Sequence, residues 1–116
     1  MANSTIVKDA PITEGLGTVY QSRVTDASVK WIKVGRIVYI SGWLKTTSVV
    51  AMGSALMTGF PPAADSSYYV AQLLNTSSGA NVPLIINNVG SLCIGQFRNA
   101  TATTNYALNG MYISAN

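Results

Sequence analysis

Two dense runs of β-branched and aromatic residues stand with only Gly35-Arg36 between them, and this pair constrains the chain more than any other feature. The runs are Val29-Lys30-Trp31-Ile32-Lys33-Val34 and Ile37-Val38-Tyr39-Ile40-Ser41-Gly42-Trp43-Leu44. Branched and aromatic side chains suit a pleated surface, and two such runs around a glycine predict a β-hairpin. Side chains alternate across a strand, so the second run places Val38, Ile40 and Leu44 on one face. The other face takes Ile37, Tyr39, Ser41 and Trp43 and is also largely apolar, which predicts a strand covered on both sides.

The rest of the chain follows the same grammar. A strand over 67–74, a loop over 75–81, a strand over 82–86, a turn over 87–90 and a strand over 91–97 are punctuated by Asn, Ser and Gly. Pro83 has no N–H to give a ladder and is expected at a strand start or a sheet edge. The last strand is expected over 105–114, with Gly110 as a bulge. Only 47–58 offers a helix, because Val49, Met52 and Leu56 would share one side; Gly53 opposes it, and a strand ending at Gly59-Phe60-Pro61-Pro62 fits equally. Residues 1–16 read as a lead-in strand or linker outside the core, and 17–116 as one domain. Strands recurring about every 8–12 residues make the class all-β, an antiparallel sandwich or barrel.

Composition decides which chemistries such a scaffold can host. There is no histidine, and the carboxylates are only four: Asp9, Glu14, Asp26 and Asp65. The usual proton-transfer group is missing and a carboxylate pair is hard to assemble, so no enzymatic activity is expected. Ser66 beside Asp65 lacks the His or Lys that would activate it. The same scarcity predicts no metal site and no cofactor. The single cysteine, Cys93, lies between Leu92 and Ile94 and reads as a small buried hydrophobe. The uncharged stretch 66–97 is interrupted by Asn, Ser, Gly, Gln and Pro, so no membrane insertion is expected. The first eleven residues lack the basic and apolar regions of a signal peptide; exposure outside a cell is expected by lysis or as part of a particle.

The order of these phrases resembles a known family. The stretch from Trp31 to Gly42 is similar to a hairpin found in many phage tail-fibre and baseplate receptor-binding proteins. Thr58-Gly59-Phe60-Pro61-Pro62, the Ile85 to Ile94 hairpin and the Tyr106 to Ile113 strand resemble the phrases that follow in the same family, so the likeness covers about residues 27–116. The resemblance implies a small antiparallel β-sandwich of jelly-roll type, a homotrimeric receptor-binding head that sits among other tail or baseplate proteins and binds a host cell-surface glycan. It also implies a virion location: made in the bacterial host cytoplasm, then exposed to the medium on the particle. Two alternatives stay open, a purely structural fibre-tip trimerisation domain and a free-standing bacterial lectin.

Candidate ligand-binding residues combine a ring with nearby amides or hydroxyls. Aromatic faces stack on the C–H faces of sugars, and Tyr39 and Trp43 share a strand face with Ser41. Asn75, Asn81, Asn99 and Asn105 bound the two polar loops and supply hydrogen-bonding amides. Rings of this kind also fill cores and subunit interfaces, and such amides also build plain turns. Within residues 29–116, Lys30, Lys33, Arg36, Lys45 and Arg98 stand against Asp65 alone. That excess suits an anionic partner, or else lysines that block strand-edge pairing. With no Arg/Lys-rich stripe, nucleic acid is not an expected partner.

Overall fold

A computed structural model of the chain describes residues 11–47, 49–65, 68–95, 100 and 104–116. Its strands are β1 (Ile12–Leu16), β2 (Thr18–Val19), β3 (Val24–Val34), β4 (Ile37–Thr46), β5 (Ala55–Thr58), β6 (Tyr68–Asn75), β7 (Asn81–Ile86), β8 (Leu92–Ile94) and β9 (Asn105–Ile113). All pairings are antiparallel, and among the described residues there is no helix. The 47–58 segment therefore resolves to a turn at Met52-Gly53 followed by β5.

The strand order is β1-β3-β4-β9-β6-β7-β8-β5-β2. Its two ends are neighbours in the chain, separated only by Gly17. Residues 12–16 pair with β3, whereas Thr18 and Val19 pair with β5. One extended segment thus joins both margins, and Gly17 N donates to Val29 O at 2.8 Å across the join. The result is one nearly closed antiparallel sheet, where the resemblance implies a jelly-roll sandwich of two. β1 belongs to this sheet but stays outside the core, with Ile12 and Leu16 exposed.

One set of alternating residues fills the interior: Val38, Ile40 and Leu44 from β4, Tyr106, Leu108 and Tyr112 from β9, and Val82, Leu84 and Ile86 from β7. Burying each such side chain stabilises by about 1.5–3 kcal/mol. Two glycines make the curl possible. A Cβ on Gly15 would stand 2.7 Å from the Trp31 indole, which folds over that bare backbone from the neighbouring strand. At Gly42, φ is +148° and any Cβ would collide with the Ser28 carbonyl oxygen. Only glycine lets β3 approach β4 that closely.

The β3–β4 hairpin forms as its sequence predicts, turning at Gly35 with φ +61°. The 87–90 turn also forms: Asn87 Oδ1 accepts from Val89 N and Ser91 N, and Gly90 has φ +80°. Three expectations need correction. Gly110 pairs in regular register on β4 and is no bulge; the irregularities fall at Val24/Asp26, Ala55/Met57 and Tyr69/Ala71. Pro83 lies inside β7, between β6 and β8, not at an edge. Its missing N–H is tolerated because β8 ends at Ile94 beside it, and its carbonyl still accepts from Gly95 N at 2.8 Å. Finally, the second face of β4 is not covered within one chain: Tyr39 is 48% and Trp43 45% exposed.

Cys93 is buried on β8, where burial pushes its thiol above the ordinary range against the smaller, opposing pull of the Arg23 charge. It stays protonated at neutral pH and is a packing residue rather than a nucleophile.

Candidate ligand-binding face

Alternation turns Ile37, Tyr39, Ser41, Trp43 and Lys45 of β4 toward the outside of the sheet. Register then fixes their neighbours. Ser41 stands between Lys30 of β3 and Asn109 of β9, and Asn109 is opposite Gln72 of β6. One row along, Trp43 stands between Ser28 and Ala107, Ala107 is opposite Leu74, and Leu74 is opposite Asn81 of β7. Neighbours within a row are about 5 Å apart.

These two rows hold a shallow open depression of about 230 Å³, lined by Gln72, Leu74, Asn81, Ala107, Leu108 and Asn109. Leu74 and Ala107 supply an apolar floor. The carboxamides of Gln72, Asn81 and Asn109 surround it, and the Trp43 ring stands one strand beyond Ala107. Each of those amides belongs to an exposed residue. A patch of this kind matches a pyranose, with its apolar C–H face and a rim of hydroxyls.

The sequence-based candidates separate. Asn81 lines this depression, whereas Trp43 stands outside its lining, one strand away opposite Ala107. Tyr39 is on the same strand but one row beyond Ser41, between Ile32 and Met111, in apolar company. Asn75 is committed to its own turn, its Oδ1 accepting from Ser77 N at 2.9 Å and Ser78 N at 3.2 Å. Asn105 is exposed at the start of β9 opposite Lys45, its carbonyl accepting from Thr76 N. Asn99 lies outside the described residues. Gln72 and Asn109 are absent from the loop-based candidates, although a signal existed: each is a polar residue inside an otherwise apolar strand.

Among the described residues the basic side chains do not converge, and Arg98 lies outside them. Lys30 is on the outer face, and Lys45 is opposite Asp26. Lys33 belongs to the inner face of the hairpin beside Val38, whereas the Arg36 guanidinium donates to the Ser114 carbonyl from Nε at 3.2 Å and Nη2 at 3.0 Å. Two of the carboxylates are well separated: Glu14 is level with Ile32 of β3, and Asp26 lies six residues back along that strand, about 20 Å away. No group of three or more His, Cys, Asp or Glu side chains gathers among the described residues. In comparison with known proteins, no family model matches the chain and no curated protein is significantly similar to it.

Proposed function

We propose that the chain is a non-enzymatic adhesion module, the receptor-binding head of a phage or prophage tail fibre, which binds host cell-surface saccharide as a homotrimer. The observation that carries this reading is the outer-face depression, with Leu74 and Ala107 as floor, three exposed amide residues around it and Trp43 one strand beyond Ala107. Glu14 and Asp26 stand too far apart to act together as the carboxyl pair of a glycoside hydrolase, which needs the two within about 10 Å. Each site binds weakly, near millimolar or about −4 kcal/mol, and three linked sites gain by avidity.

A glycan array probed with the labelled protein tests this. The wild type binds a defined set of saccharides; the Gln72→Ala/Asn109→Ala double variant loses that signal and keeps its oligomeric state. A wild-type protein that binds no glycan at saturating density overturns adhesion. It would leave the structural fibre-tip reading, which the apolar part of the same outer face favours.

A further inference from the structure

Beyond the depression, the outer face changes character, and among the described residues its large apolar side chains stay exposed. Ile12 of β1 is opposite Val34 of β3, Val34 is opposite Ile37 of β4, and Ile37 is opposite Ile113 of β9. In the adjacent row, Ile32 is opposite Tyr39 and Tyr39 opposite Met111. Seven apolar side chains therefore form two adjacent rows, one of four across β1, β3, β4 and β9 and one of three across β3, β4 and β9. Ile12 is 68%, Met111 59%, Ile113 47% and Ile37 43% exposed. The interior is already filled from the opposite face of these strands, so none of the seven is needed for the core.

We propose that this end of the outer face is the surface on which a second copy of the chain docks. At these exposures the two rows present on the order of 500 Å² of apolar surface, the size of the largest patch on a typical soluble monomer, which is often a functional one. A standard stable interface takes about 800 Å² from each partner, of which some 60% is apolar, so the patch supplies the apolar part of one such interface. Its rim carries both signs, Glu14 level with Ile32 and Lys30 level with Leu16, so that a second copy brings opposite charges to each. A lipid-binding face would instead be rimmed by basic residues alone.

Docking uses the face rather than the nearby edge. Gly35 N donates to Pro11 O and Gly17 N to Val29 O, which turns the odd-numbered backbone groups of β1 toward β3 and the even-numbered ones away. Glu14 stands at the centre of that open edge, and antiparallel pairing of two such edges would set carboxylate against carboxylate. Tyr39 accordingly belongs to the contact between copies and Trp43 to the row of the ligand depression. The inference rests on the trimeric reading above for the number of copies only, and is independent of saccharide binding.

Sedimentation of the full chain without ligand provides the test. The wild type runs at a multiple of the 12.2 kDa chain mass at micromolar concentration. Met111→Lys/Ile113→Lys weakens association at least a hundredfold, and Val89→Lys, at an exposed apolar residue in the β7–β8 turn, leaves it unchanged. Far-UV circular dichroism checks that each variant is folded. If the lysine pair does not fold, Tyr39→Ser, which removes apolar area without adding charge, reads the same equilibrium. A monomeric wild type at 100 µM, or a folded lysine pair that associates like the wild type, overturns the proposal. A dimer abolished by these substitutions supports the surface and overturns the number three. Intact assembly without glycan binding refutes the adhesion reading alone.

Discussion

At one end of the outer sheet face, β3, β4 and β9 present Ile32, Tyr39 and Met111; two residues farther along the same strands they present Lys30, Ser41 and Asn109. The backbone is the same at both ends, and so is the packing beneath, where Val38, Ile40 and Leu44 continue one core. Folding demands apolar residues only on the inner set of positions. The outer set is unconstrained by the core, so the change from polar to apolar along it is not dictated by folding; under the proposed readings one end takes a ligand and the other a second copy.

Gly42 underlies both ends, and its substitution gives the largest expected effect. Gly42→Ala drives a Cβ into the Ser28 carbonyl at a positive φ, which should cost about 3 kcal/mol or more in urea denaturation. Association and glycan binding should fall together; loss of one alone would show that the two ends do not share this support. A smaller effect is expected on β8, outside the compared rows. Cys93→Ala should cost about 1–2 kcal/mol through a small cavity and leave both ends working. Rapid labelling of the native thiol would contradict its burial.

The finest distinction separates two loop asparagines. Asn75→Ala removes the acceptor of two backbone N–H groups, and stability should drop by about 1 kcal/mol with glycan binding retained. Asn81→Ala should do the reverse, changing stability by less than about 0.5 kcal/mol while weakening glycan binding. Exchange of those two outcomes would move the depression's edge from β7 to the 76–80 turn.

Much of this was legible in residue order. The β3–β4 hairpin, the Asn87–Gly90 turn and the inward placement of Val38, Ile40 and Leu44 follow from alternation and turn chemistry, which act over a few residues. Asn75 and Asn81 look equivalent in sequence because each bounds the same polar loop. They differ in the structure because one amide closes its own turn and the other is an exposed residue lining the depression.

What the chain settled by itself is therefore local: strand parity, the hairpin register about Gly35, and a residue inventory poor in the groups that move protons. What only the tertiary structure decided is which distant strands become neighbours. β9 inserts between β4 and β6, which sets Ile37 against Ile113 and Gln72 against Asn109. Turn geometry fixes a hairpin's partner, whereas a pairing across dozens of residues depends on which edge the completed core leaves open. Both the depression and the apolar rows are made of such pairings, so neither exists until the sheet curls toward closure.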